Sequence, residues 1–388
     1  MQNKLAFELL DFLRRIIYQY ESAGGCFAEL SIEQQKKILY GAEEQHLEAF
    51  LFYALSDVLP EHQKELYKKR YQKNAIVMLK NKAVLAELCR LFEKENIRFA
   101  PFKGADLAYR CYPVPAVRYM SDIDILIHPD DCRRALELLA QNHWQPERPV
   151  DLKTPHHHYS QHFKNGVCLE PHWTFAQFGQ VDPLQIWQYI QPLSSGSMQH
   201  KLSCELNLLQ LTCHAASWHY NHLLPVKLLL DAAFLIQKEM PDWKKLRVMS
   251  KQWHLPYPGD LLSAYPELFS GADLQAMQGD AAAAAAYREL LENSFSSDDI
   301  SPGEFDLYDE RGGLFYGVTR GIKRMNAAAI RKKYSLPEHG AYCRLGICWG
   351  MDLIRKFFRF IHYAVCPSKK MKKRRQLIKQ AERIHGEK

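Results

Sequence analysis

The chain has 388 residues, 47% of them hydrophobic and 24% charged, which is ordinary for a globular protein and longer than one hydrophobic core usually fills. Its net charge of +7 is local: Lys369 to Lys388 hold nine Lys or Arg against two acidic residues, so the rest is balanced, which argues against a broad nucleic-acid-binding face on the body. Ten cysteines lie scattered with no C-x-x-C pair, a pattern of reduced thiols and not of a zinc site or disulfide framework.

At the start, Glu8 and Asp11 break the apolar run from Met1 to Ile17 and no small-residue cleavage site follows, so a cytoplasmic protein is expected. Apolar residues recur at three- and four-residue spacing in Leu5 to Ile17, Leu47 to Val58 and Ile76 to Phe92, with Gly24-Gly25 and Pro60 as punctuation. The spacing predicts a helical segment over residues 1–92 with a scaffold role.

The rhythm changes at 93. Ile97 to Phe102 reads as a strand closed by Lys103-Gly104, Ala105 to Cys111 reads as a helix, and Pro113 and Pro115 break the chain before a second strand, Ile123 to Ile127. A helix from Pro129 to Asn142 follows, then paired strands around His158 to Phe163 and Val167 to Trp173, joined at the hairpin signal Asn165-Gly166. Residues 93–180 thus predict a small mixed α/β sheet.

Asp122 and Asp124 interrupt an otherwise aliphatic run. Residues i and i+2 of a strand leave one face with Cα atoms roughly 6.6 Å apart, so both carboxylates point one way while Ile123 and Ile125 point into packing. Like charges so close resist joint ionisation unless a cation sits between them, and hard oxygen donors on a rigid strand suit Mg²⁺ or Mn²⁺. A pair of such ions roughly 3.5–4 Å apart serves in-line phosphoryl or nucleotidyl displacement. A lone Asp-x-Asp is common as a solvated strand end or helix cap. Here it follows a strand, a Gly turn and a helix, the order a phosphate site needs, and a third carboxylate, Glu170, stands in a later apolar strand. Of His156, His157, His158 and His162, at most three share a strand face, and that stretch holds no cysteine to complete a zinc set, so a surface or site-rim strand is the better reading. His172, on the face of Glu170, suits either a hydrogen bond to a metal ligand or plain packing.

Residues 181–366 turn helical. Leu206 to Tyr220 and Val226 to Ile236 are amphipathic, and Pro225 opens the second. Lys227 and Asp231, spaced i, i+4, share a helical face. One reading has Lys227 reaching nucleotide phosphates with Asp231 orienting it; the other is an exposed ion pair of little consequence. Asp280 caps an alanine-rich helix, Ser294 to Pro302 is a polar loop, and Arg311-Gly312-Gly313 lacks the strand-to-helix setting of a phosphate loop. Leu345 to Cys366 is long enough to span a bilayer, but Asp352, Arg355, Lys356, Arg359 and His362 would each cost about 2.5–3.5 kcal/mol near its centre, so no transmembrane span is expected. It reads as an amphipathic helix followed, after Pro367, by the basic tail 367–388, a pair able to rest weakly on an anionic lipid surface at the inner membrane face, or to pack as helix and solvated tail.

These residues resemble the polymerase-β-like nucleotidyltransferases, and most closely a bacterial group of uncharacterised nucleotidyltransferases. The superfamily's Gly turn, Asp-x-Asp and third carboxylate match Lys103-Gly104, Asp122-x-Asp124 and Glu170. The closer group adds an Arg before the acidic strand, here Arg118, and His-Trp after the third carboxylate, here His172-Trp173; Leu211-x-x-His214-x-x-x-Trp218, Asp231 and Asp242-Trp243 look like its helical half. The likeness covers roughly residues 75 to 265. It implies an α/β (α+β) nucleotidyltransferase core flanked by N- and C-terminal helical segments. It also implies Asp122, Asp124 and Glu170 as catalytic metal ligands for Mg²⁺ or Mn²⁺, with a nucleoside triphosphate such as ATP as co-substrate. Lys103, Gly104, Arg118 and Lys227 become candidate nucleotide contacts. One departure stands out: Ala105 follows Gly104 where the superfamily has a phosphate-contacting Ser, and Lys103 is the substitute contact. The implied reaction moves a nucleoside monophosphate to a hydroxyl of an acceptor, a small molecule, peptide or polysaccharide precursor before an RNA. The alternatives are a catalytically silent nucleotide- or partner-binding protein of the same fold and an RNA-modifying transferase.

Overall fold

The computed structural model describes residues 3–294 apart from 155, 177, 179, 217–225, 270–274 and 278. The chain opens with helices α1 (Asn3–Tyr18), α2 (Tyr20–Glu29), α3 (Ile32–Glu44) and α4 (Glu48–Leu55). Ser31 and Gln34 form a reciprocal capping box that fixes the start of α3. Helix α5 (Glu61–Lys94) runs 34 residues, twice the stretch that periodicity marks at Ile76 to Phe92. Its first half is rich in Lys, Glu and Gln, good helix formers that show no apolar stripe, and Pro60 stops it from starting earlier. Tyr67, Asn74, Met78, Asn81, Val84, Leu88 and Phe92 form its buried edge.

Next come β1 (Phe99–Pro101), α6 (Gly104–Arg110), β2 (Asp122–Ile127), α7 (Cys132–Gln141), β3 (Gln145–Pro146), β4 (His162–Lys164) and β5 (Val167–His172). They form one mixed sheet in the order β1-β2-β5-β4-β3, in which only β2 and β5 run parallel. After it lie α8 (Pro183–Trp187), the hairpin β6 (Ile190–Pro192) and β7 (His200–Leu202), then α9 (Cys204–Ala216), α10 (Val226–Glu239), α11 (Trp243–Gln252), α12 (Pro258–Leu262) and α13 (Ala281–Ser294). The architecture is mixed α+β.

The period-two alternation of β2 assigns its faces. Ile123, Ile125 and Ile127 pack with Leu88 and Phe92 of α5 and with Ala135, Leu139 and Trp144 in one core. Leu126 lies on the opposite face with Ala100 and Phe102, in a second core that also takes in Leu9 and Leu13 of α1, Phe50 of α4, and Leu209 and Leu229 of α9 and α10. The first helices and the later ones therefore share apolar packing. Asp122 and Asp124 stand on the Leu126 face, beneath that helical layer.

The β4–β5 hairpin turns at Asn165 (φ 52°) and Gly166 (φ 74°), both left-handed as a two-residue hairpin turn requires. Gly166→Ala is expected to cost about 1–2 kcal/mol, since a side chain at that φ meets the following carbonyl; a lower denaturation midpoint in urea checks it. Among the described residues no helix is long and apolar enough to cross a membrane. The expected helix 345–366, the basic tail and the loop from Ser294 to Pro302 lie outside the described residues, its first residue excepted.

Candidate active site

After β1 the chain stays tied to β2: the Phe102 amide donates to the Asp124 carbonyl at 3.1 Å. Lys103 then adopts φ 50°, ψ −133°, a conformation costing a residue with a Cβ about 1–3 kcal/mol and found mostly where function requires it. Helix α6 starts at Gly104, where a Cβ would fall 3.0 Å from the Met120 Sδ, so the missing side chain lets the turn close against the loop before β2. The Lys103 side chain reaches the acidic face, with Nζ 2.8 Å from Asp124 Oδ1.

Register decides which acidic groups meet. On parallel β2 and β5, Asp124 stands opposite Glu170, Asp122 opposite Cys168 and Leu126 opposite His172. His172, almost fully buried, sets its Nε2 3.0 Å from Asp124 Oδ1 and 3.6 Å from Glu170 Oε2. Gln161, in the segment entering β4, donates its amide to Glu170 Oε1. Asp124, Glu170 and His172 each present a donor atom, and these lie within 4.8 Å of one another. Asp122 sits at the more open end of β2, its Oδ1 accepting from Ser121 Oγ at 3.2 Å.

The titration directions agree with this crowding. Burial alone would raise the Asp124 carboxyl, but the Lys103 ammonium and His172 hold it well below the usual range. Burial likewise opposes ionisation of Glu170, and the adjacent His172 ring, with the Gln161 amide, overcomes it. Asp122 is pushed up by burial and by the charges of Asp124 and Glu170. Burial works against the Lys103 ammonium, yet Asp124, Glu170 and Asp122 keep it charged. Two opposed carboxylates, a third on the same face and an adjacent imidazole form a donor set that suits a divalent ion, and a lysine ammonium already lies on one of them.

The other candidates fall behind this cluster. Asp231 is wholly buried and does not pair with Lys227. Arg118 holds it through Nε and Nη2, each at 2.7 Å, while the Tyr112 hydroxyl donates at 2.7 Å. Arg118 also donates to the Tyr119 carbonyl, so its guanidinium is engaged on every side facing α10 and the β2 loop. The bidentate fork beats the local i, i+4 contact because it satisfies both carboxylate oxygens. Lys227 makes no hydrogen bond or ion pair among the described residues. Burial and then Arg118 lower its pKa, with Asp231 and Asp122 pulling the other way. His214 of α9 is half-buried near the same charges, and desolvation, then Lys103, push it well below its usual value.

Of the histidine run, His157 and His158 bring their rings to 5.5 and 5.4 Å from His172. His156 is exposed, and His162 turns away, donating Nδ1–H to the Ser160 carbonyl at 2.7 Å. Gln161 and Tyr112 carried no signal in the sequence, since neither stands in a charged or periodic pattern.

No curated protein and no solved structure matches the chain. A family model described as uncharacterised nucleotidyltransferase matches residues 32–261. That match spans more than half of the chain and takes in the whole sheet together with α3 to α11. By that match the chain belongs to the family of uncharacterised nucleotidyltransferases.

Proposed function

We propose that the protein moves a nucleoside monophosphate from a nucleoside triphosphate, ATP being the natural first choice, to a hydroxyl of an acceptor, in a reaction that requires Mg²⁺ or Mn²⁺. The observation that carries this reading is the opposition of Asp124 and Glu170 on adjacent parallel strands, with the Lys103 ammonium at 2.8 Å. Asp122, Asp124 and Glu170 are the proposed metal ligands. Bound divalent ions supply neutralising charge to the phosphates and a more acidic acceptor hydroxyl. The chain's own groups do the rest. Lys103 and Lys227 neutralise phosphate oxygens, Lys227 being the half-buried cation without a partner among the described residues. Arg118 holds α10, the helix that carries Lys227, through Asp231, and Gly104 lets the Lys103 turn approach the phosphates. The acceptor oxygen attacks the α-phosphorus, its proton passes to a Glu170 carboxylate oxygen, and pyrophosphate leaves with the bonding pair.

Incubating the protein with labelled nucleoside triphosphates and a cell extract tests this. Label should enter an acceptor with release of pyrophosphate and stop when EDTA removes the metal; no release with any triphosphate or acceptor pool would end the proposal. Lys227→Ala should raise KM for the triphosphate about 10- to 100-fold, because hydrogen bonds to charged groups are worth about 1.5–3 kcal/mol. Steady-state kinetics on the purified variant reads this.

One observation favours a second reading. Lys103 Nζ already neutralises Asp124, and Ala105 stands where a phosphate-binding hydroxyl is usual, as in a protein that binds nucleotide without turning it over. Calorimetric binding of nucleotide that ignores Mg²⁺, with no pyrophosphate formed, would favour it.

The balanced charge of the body favours a small molecule, peptide or polysaccharide precursor as acceptor over RNA. The basic tail 367–388 and the aromatic run before it support a cytoplasmic enzyme with weak, salt-sensitive attraction to anionic lipid.

A further inference from the structure

We infer that His172 is a direct ligand of the divalent ion, so that Asp124, Glu170 and His172 form a mixed oxygen and nitrogen centre that prefers a first-row transition ion such as Mn²⁺ to Mg²⁺. This rests on the reading that Asp124 and Glu170 bind a divalent ion, and adds the third donor and the ion it selects.

The sheet places the ring. His172 follows Glu170 by two residues on β5, so both leave the same face, and parallel register sets them beside Asp124. The edge-on Phe102 ring, 4.9 Å away, and the rings of His157 and His158 box the imidazole in. Of its two nitrogens, Nε2 is the one turned to the carboxylates, at 3.0 and 3.6 Å. Nδ1 is buried and has no hydrogen-bond partner among the described residues. The ring thus presents Nε2 to the acidic side, and that is the nitrogen an ion lying between Asp124 and Glu170 would meet.

The spacing also fits one ion. Donors bound at about 2.0–2.2 Å stand at most about 4.4 Å apart, and the three donor atoms here already lie within 4.8 Å. The Lys103 ammonium on the same Asp124 oxygen marks the spot as one that accepts a cation, and its flexible four-carbon stem can carry it to a phosphate when an ion takes that place. Mg²⁺ strongly favours oxygen donors, whereas Mn²⁺ and its heavier neighbours accept imidazole, so the nitrogen shifts the balance between them.

The test uses the full chain loaded with Mn²⁺. Pulsed EPR should show ¹⁴N coupling from a directly bonded imidazole, and that coupling should vanish in His172→Gln, which keeps an N–H donor for the carboxylates. Calorimetry should find Mn²⁺ affinity reduced about 10- to 100-fold in the variant, with Mg²⁺ affinity changed far less. Bound Mn²⁺ without ¹⁴N coupling, coupling that survives the substitution, or equal loss for both ions would overturn the inference and leave the carboxylate site standing. Failure of both ions to bind wild-type protein would overturn this inference and the divalent-ion reading beneath it. The wild-type spectrum decides even where the variant does not fold.

Discussion

Asp124→Asn is expected to lower kcat for nucleotide transfer at least about 10³-fold while costing at most about 1–2 kcal/mol of stability. The kinetic expectation follows from position. Asp124 is the carboxylate on which Lys103, His172 and the facing Glu170 all converge, and it is held ionised against its own burial. Under the proposed function, losing one charged ligand of the metal site removes several kcal/mol of transition-state stabilisation, and each 1.36 kcal/mol is tenfold in rate. The small stability cost follows from the neighbours. Breaking a buried ion pair is usually expensive because one charge is left without compensation, but Lys103 retains the fields of Glu170 and Asp122. Removing one of three crowded carboxylates also relieves the repulsion that raises Asp122. Pyrophosphate release and urea denaturation on the same preparation separate the two effects; unchanged turnover would remove Asp124 from the mechanism.

The acidic strand was legible because charge interrupting an aliphatic run is itself the signal, and alternation then assigns both faces. The hairpin at Asn165-Gly166 was legible for an equally local reason, the positive φ that both residues tolerate. What meets across the sheet was not legible. His172 and Asp124 are 48 residues apart, and only strand register makes them neighbours. Register also explains why β4 is shorter than the stretch His158 to Phe163. The Tyr159 amide reaches the Pro171 carbonyl beside an isolated bridge from His158 to His172, but Pro171 has no N–H to return, so the continuous ladder with β5 begins only at His162 and Leu169. Around α10 local spacing misleads. Lys227 and Asp231 stand one turn apart, yet Arg118, 113 residues upstream, takes the carboxylate, because a buried Asp is best satisfied by a planar fork that brings two donors at once.

That buried pair supports the largest stability effect expected. Asp231→Ala should destabilise the protein by about 3–5 kcal/mol, because it leaves the Arg118 guanidinium buried without a counter-charge and the Tyr112 hydroxyl without its acceptor. Arg118 has no escape by losing its proton: burial would lower its pKa, but Asp231 more than offsets this, and free arginine is already protonated at every accessible pH. Asp231→Asn keeps an acceptor for one donor and should lose less. The consequences reach the site, since α10 carries Lys227 one turn before Asp231, and Arg118 closes the loop that enters β2. Freed from that clamp, the helix that carries Lys227 is less firmly held, so nucleotide KM should rise in the variant even at temperatures where it remains folded. Urea unfolding with an unchanged slope and a midpoint lowered by the equivalent of about 3–5 kcal/mol is the expected result. A loss under about 1 kcal/mol would mean that water already reaches Asp231 and that the pair is a surface contact.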